Sequence, residues 1–333
     1  MSVTLNLTPF SDYWMDCRLN NIFSVIISRE SSYKAAAYMN NYSYLKHTGD
    51  YEKIIYFNLM DVKYLHAFEK TIEECILRYE PYLMSRDENI TKQLIEPIKK
   101  YKHVFLNVDL FYWIPGNLTY GHSHCDHYSL ITGYDDNKKE YRAFDDDVKG
   151  YGLHLVPEER LIKAFLNSKY KDPPAFILYL RDEFQEYRLN ISQVCRNAGR
   201  LIDELAAFDV TGMWEVREGC DEMKKPEAYQ GVMTAYITGA TKIMNRQIGN
   251  KLLFKYLFSL KHLKECHLTR LVNYADSLAK EWQKIKNILI RAKLSSKVCN
   301  LNYLRQHAFH LLSTEEAMWR DFLLFNEAIA LLP

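Results

Sequence analysis

The stretch "GHSHCDHYSLITGYDD", Gly121 to Asp136, decides how this chain is read. Its first half spells H-x-H-x-D-H with His122, His124, Asp126 and His127, a spacing that suits metal ligation. Its second half alternates and ends in a turn, so it reads as a strand that His127 opens. The first reading leads to a metal hydrolase. The second leads to a thiol enzyme whose general base starts a strand.

H-x-H-x-D-H is the ligand string of the metallo-β-lactamase fold, where it sits between a strand and a helix. That fold also draws ligands from a second, β-rich half. Here "YSLITGYDD" follows His127 as a strand, and the pattern beyond residue 183 is helical. The later histidines, His154, His262, His267, His307 and His310, lack the β context. His122 and His124 are therefore read as loop histidines rimming a cleft, and no metal is expected.

The 333 residues suffice for two domains, and 48% hydrophobic content supports packed cores. A net charge of +1 without a long basic run argues against a general nucleic-acid binder. No stretch approaches the roughly 20 apolar residues of a membrane span. The start, "MSVTLNLTPFSDYW", has neither the basic nor the apolar region of a signal peptide. Seven widely spaced cysteines, Cys17, Cys75, Cys125, Cys195, Cys220, Cys266 and Cys299, form no CxxC pair. A reduced, cytoplasmic protein with mostly buried thiols is expected.

The character of the chain changes near residue 183. Up to residue 182, the strand-like runs "KIIYFNL", "HVFLNVDLFYWIP", "HYSLITGYD", "EYRAFD" and "PPAFILYL" alternate with turns. Helical patterns lie around 62–82 and 157–168, which predicts an α+β domain over 1–182. Over 183–333 the pattern is that of a helical bundle. Ile191, Val194, Ala198, Leu201 and Leu205 make one apolar stripe. Leu271, Ala275, Leu278, Trp282, Ile285 and Leu289 make another. "TGMWEVREGCDEMKKPEAYQG" is expected to be a long loop between helices.

A nucleophilic cysteine needs a lowered pKa, a base, and a group that orients the base. If Asp16 caps a helix, Cys17 stands in its first turn, where the helix dipole favours thiolate. By propensity alone "IFSVIIS" suits a strand as well as a helix. The base and its orienter come from a hairpin with a loop of residues 135–139. Tyr134 then faces Glu140, Ser129 faces Asp145 and His127 faces Asp147. Asp145 and Asp147 share the side of His127, and Asp146 points to the other side. Either Asp145 or Asp147 is placed to orient the imidazole.

"HYSLITGYDD…YRAFD" resembles the His–strand–Gly-Tyr-Asp–strand–Asp signature of C39-like, papain-fold proteins. The wider block "DLFYWIPGNLTYGHSHCDHYSLITGYDDNKKEYRAFDDDVKGYG", with "MDCRLNN" near the start, is similar to the butirosin biosynthesis protein H family. Those proteins are cysteine acyltransferases of carrier-protein-dependent antibiotic and nonribosomal peptide biosynthesis. They join a papain-like domain to a helical one. Closthioamide-type amide synthases share the architecture. The resemblance covers roughly residues 10–182. It implies a helix at Cys17, with Cys17 as nucleophile, His127 as base and Asp145 as its orienter. Papain-like peptidases carry an oxyanion-donor Gln about six residues before the nucleophile. Here that position is Ser11, which leaves the backbone N–H of Cys17 and Asn20 or Asn21 as donors.

The implied reaction moves an acyl or peptidyl group from the phosphopantetheine thioester of a carrier protein to an amine, through acyl-Cys17. Neither a metal nor a dissociable cofactor is expected, and nucleic acid and membrane are not expected partners. Asn20, Asn21, Asp109, Asp126 and Asp147 form the candidate substrate-binding set. The acidic residues Asp126, Asp135, Asp136, Asp146 and Asp147 point to a diamine among the acceptors. The competing readings are a cysteine peptidase with the same triad and a noncatalytic binding module. Cys125 is the competing thiol.

Overall fold

The computed structural model describes residues 2–51, 55–64, 66–169, 173–218, 226–295 and 300–330. In chain order these residues form β1 (Val3–Thr4), α1 (Cys17–Arg29), α2 (Lys34–Tyr38), β2 (Tyr42–Tyr51), β3 (Ile55–Tyr64), α3 (His66–Cys75) and β4 (Ile76–Tyr82). There follow α4 (Ile90–Lys99), β5 (His103–Asp109), β6 (Asp126–Asp135), β7 (Glu140–Asp147), β8 (Gly150–Pro157), α5 (Glu158–Asn167) and β9 (Ala175–Leu180). The C-terminal part comprises α6 (Ile191–Ala207), β10 (Val216–Glu218), α7 (Pro226–Ser259), α8 (Glu265–Ser295) and α9 (Leu301–Ala330). The class is mixed α and β, with a sheet region followed by a C-terminal helical region, as expected.

The chain divides into two compact units. The first comprises Met1–Lys34 and Glu69–Tyr187. Its antiparallel sheet runs in the order β4-β9-β5-β6-β7-β8, with β1 added alongside β6. Along β5, Val104, Leu106 and Val108 point into a core closed by Leu94 and Ile98 of α4 and Leu161, Ala164 and Phe165 of α5. Helix α1 covers the opposite face. Asn21 and Ser24 of α1 meet the hydroxyl of Tyr151 on β8 at 2.6 and 3.3 Å. Beside the hairpin, β1 passes so close to β6 that a Cβ at Gly133 would lie 2.7 Å from the carbonyl oxygen of Val3. Only glycine fits there.

The second unit comprises Ala35–Phe68 and Arg188–Pro333. In this division Ala35–Phe68 groups with the helical segment rather than with the sheet. Buried polar groups hold it there. Glu315 of α9 accepts hydrogen bonds from the hydroxyls of Tyr42 and Tyr44, both at 2.6 Å. Arg246 of α7, fully buried, donates to the carbonyls of Tyr38 and Met39. These partners replace water for two buried ionisable groups, whose desolvation would otherwise be costly. Both predicted apolar stripes are helical, and Leu271, Ala275, Leu278, Trp282, Ile285 and Leu289 are all buried.

Three further expectations change. The helix around 62–82 is shorter: β3 extends to Tyr64, and Ile76–Tyr82 is an edge strand paired with β9. An edge position tolerates Pro81, and it leaves Leu77 and Tyr79 exposed. The expected loop over 211–231 contains β10 and the start of α7, where Pro226 occupies the first helical position. Residues 219–225, with Cys220, lie outside the described residues, as does Cys299. Of the described cysteines Cys75 is fully buried, Cys17 and Cys195 are partly buried, and Cys125 and Cys266 are exposed; all five are free thiols. No helix among the described residues is long and apolar enough to cross a membrane.

Candidate active site

Cys17 is the first residue of α1. Asp16 caps the helix from extended backbone, its Oδ1 accepting from the N–H of Leu19 at 2.7 Å. Such a cap is worth about 1 kcal/mol. It settles the helix-or-strand ambiguity of "IFSVIIS" in favour of helix. The approach to the cap is tied down by Asn20, which accepts from the N–H of Met15 and donates to the carbonyls of Phe10 and Tyr13. Asn21 donates to the carbonyl of Tyr128 and accepts from the hydroxyl of Tyr151. Both side chains are fully buried, so both amides serve the fold. Ser11 is exposed.

The hairpin β6–β7 reaches the expected register by a different route. Asp135 pairs with Glu140, and Tyr134 with Tyr141 rather than Glu140. An irregularity between Ile131 and Gly133 absorbs the difference, so that Ile131 pairs with Ala143 and Leu130 with Phe144. This β-bulge restores the predicted phase exactly where it matters. His127 Nε2 lies 3.1 Å from Asp145 Oδ1. Asp145 is fully buried and also accepts from Ser129 Oγ, from Trp113 Nε1 at 2.7 Å and from the N–H of Asp146 at 2.9 Å. Asp147 instead accepts from the N–H of Lys149 within its own turn. Of the two, Asp145 is the carboxylate hydrogen-bonded to His127.

Cys17 Sγ, a ring nitrogen of His127 and carboxylate oxygens of Asp145 and Asp146 all lie within 4.8 Å of one another. His127 Nε2 is the ring nitrogen turned to Asp145. Asp146 pairs across the ladder with Tyr151, on the α1 side of the sheet. Its Oδ1 accepts from Cys17 Sγ at 3.3 Å.

The electrostatics correct one expectation. The thiol of Cys17 is pushed well up, first by burial and then by the charges of Asp146, Asp145 and Asp16. Burial and the three carboxylates together oppose the helix dipole and disfavour the thiolate. Burial opposes the charge on His127, but Asp145 raises it above the ordinary histidine value. Burial likewise opposes ionisation of Asp145, yet His127, Ser129 and the Asp146 N–H hold it at about 2. Asp146 is pushed up to about 7 by burial and by the charge of Asp145.

The H-x-H-x-D-H string is not gathered onto one point. His124 Nδ1 meets Asp109 Oδ2 at 2.6 Å and its ring stacks on Phe111, while His122 is exposed. Asp109 is buried and also accepts from the N–H groups of Phe111 and Cys125, so it braces this loop. Among the described residues, the group with metal-like spacing is Cys17, His127, Asp145 and Asp146. Asp145 is already committed to four donors, which leaves a metal only one sulfur, one nitrogen and one carboxylate.

A cavity of about 520 Å³ opens beside Cys17 and His127. Its wall is mainly apolar: Ile22, Tyr79, Phe105, Tyr128 and Phe176, with Arg18, Asn107 and Asp126 as its polar members. Asp126 Oδ1 accepts from the N–H of Lys169. Asp135 and Asp136 bind groups of their own turn. The acidic cluster is therefore dispersed, and of its members only Asp126 lines the cavity. Sequence reasoning missed Trp113, Asn107, the aromatic wall and the contact of Asp146 with the thiol. A polar Asn107 inside the apolar run "HVFLNVDL" was the available signal.

No family model matches the chain, and no curated protein matches it.

Proposed function

We propose that the protein is an amide-forming cysteine acyltransferase that works on a carrier-bound thioester. The observation that carries this reading is the convergence of Cys17 at a capped helix start and the buried His127–Asp145 pair on one mainly apolar cavity. Cys17 Sγ attacks the thioester carbonyl as His127 takes its proton; the C–Sγ bond forms. Collapse of the tetrahedral adduct breaks the bond to the pantetheine sulfur, which leaves with the proton from His127. A neutral amine then attacks acyl-Cys17. His127 accepts the amine proton and returns it to the departing Cys17 sulfur. Because the thiol is held protonated, His127 acts as a general base during attack.

An apolar wall favours aminolysis over hydrolysis by limiting water at the acyl-enzyme. The backbone N–H of Cys17, among the unpaired donors of a helix start, is the candidate oxyanion ligand. Asp126 is the carboxylate placed to hold the second ammonium of a diamine acceptor. The resemblance to the butirosin biosynthesis protein H family supports the same reading, and with it we propose a carrier protein as partner and a papain-like arrangement of the sheet unit. A free thiol nucleophile suits a reducing, cytoplasmic setting.

Incubation with an acyl-carrier thioester, followed by intact-protein mass measurement, tests the proposal. The expected result is an acyl adduct on Cys17 that disappears as amide when amine is added. Peptide hydrolysis without amide formation would make the protein a peptidase. Absence of any adduct would exclude thioester chemistry at Cys17.

A further inference from the structure

Asn107 has a buried amide with unused hydrogen-bonding capacity. It is 0% exposed, and among the described residues neither its Nδ2 nor its Oδ1 has a partner. Asn107 is among the residues that line the cavity beside Cys17 and His127. Strand alternation explains the direction: Val104, Leu106 and Val108 enter the core, so Phe105 and Asn107 point the other way. Across the ladder Asn107 faces Tyr128, the residue after His127, and Phe105 faces Phe176. The amide is therefore set among aromatic side chains, one ladder position from the general base.

A buried amide without a partner destabilises the free protein, and folded proteins pair such groups as a rule. An amide side chain offers donors and an acceptor side by side. A ligand carboxylate would use only the donors of Asn107, and an ammonium only its acceptor. A neutral amide uses both. The volume of about 520 Å³ lies within the roughly 300–1,000 Å³ of small-molecule sites.

We infer that Asn107 is the specificity residue of an acyl-chain subsite, reading an amide within an otherwise apolar, aromatic-compatible acyl group packed against Phe105, Tyr128 and Phe176. As a description of the acyl donor, this rests on the function proposed above. The ligand class is an N-acylated aminoacyl group. An all-hydrocarbon acyl chain would fill the same space but strand Asn107. Sites built to hydrogen-bond a substrate group reject analogues that lack it more strongly than apolar pockets reject a size change.

Equilibrium binding tests the subsite apart from the chemistry. The probes are methyl hippurate, which carries the amide, and methyl 4-phenylbutanoate, of equal chain length without it. Both are titrated into Cys17→Ala protein and into Cys17→Ala combined with Asn107→Leu or Asn107→Asp. The expected result is a preference of about tenfold or more for the hippurate. Both Asn107 substitutions should abolish it, and the melting temperature of the Asn107→Leu protein should be no lower than its parent's. Equal affinities, a preference that survives both substitutions, or no binding of either probe at millimolar concentration would overturn the inference. Preference for the hippurate together with no acylation of Cys17 by carrier thioesters would uphold the subsite and refute the acyltransferase reading.

Discussion

Cys17 Sγ lies 3.3 Å from Asp146 Oδ1, and it is strand alternation that puts this carboxylate on the thiol rather than on the imidazole. The neighbouring Asp145 takes His127. Two adjacent carboxylates on β7 thus contact the thiol and the imidazole, and all four groups lie within 4.8 Å of one another.

Asp146→Asn should make Cys17 more reactive. The charge of Asp146 helps to hold the thiol up, and its removal lets thiolate form at lower pH. Each pKa unit recovered raises the thiolate fraction about tenfold. Alkylation of Cys17 by iodoacetamide at pH 8, followed by mass, should be several-fold to tenfold faster than in the native protein. An equal or slower rate would mean that Asp146 does not govern the thiol.

The same substitution should stabilise the fold at neutral pH. A carboxyl raised to about 7 stays protonated in the folded protein while the unfolded chain ionises from about pH 4. Stability is then lost as pH rises through that window. The asparagine protein should be more stable at pH 7 by on the order of 2 kcal/mol, an advantage that disappears at pH 4. Urea denaturation at the two pH values measures this.

Asp145→Asn should lower turnover by roughly 10²–10⁴-fold, because His127 loses the group that orients it and supports its charge. The depressed Asp145 carboxyl contributes stability that is present above about pH 4 and lost as pH falls toward 2. The acid limb of the stability curve should therefore be shallower in the variant. An unchanged limb with full activity would remove Asp145 from both roles.

Cys17→Ala should abolish amide formation, a loss of at least about 10³-fold, with the melting temperature close to that of the native protein. Cys125→Ala should keep its activity, since Cys125 is exposed and its sulfur donates to the carbonyl of Asp126, at 3.8 Å. The reverse pattern in a paired assay would transfer the chemistry to Cys125.

Chelators should leave activity intact. Asp145 is consumed by four hydrogen bonds, and His124 is held by Asp109. Stoichiometric metal by elemental analysis, with activity lost to EDTA and restored by the ion, would refute this.

Local patterns carried much of this architecture. The strand after His127, the helix stripes beyond residue 190 and the Asp16 cap each depend on residues a few positions apart, so periodicity and capping chemistry reveal them. The pairing of His127 with Asp145 was also within reach, because side-chain period and loop length constrain a hairpin. Even so, the loop is one residue shorter than read, and the irregularity at residues 131–133, beside the close approach of β1 to Gly133, cancels that error. Whether 35–68 joins the sheet or the helices depends on partners such as Glu315, some 270 residues away in sequence. The raised thiol, the fourth group Asp146 and the unpaired amide of Asn107 depend on burial and on charges brought in from separate strands. Such terms have no periodicity to read, because they arise only when distant segments exclude water together.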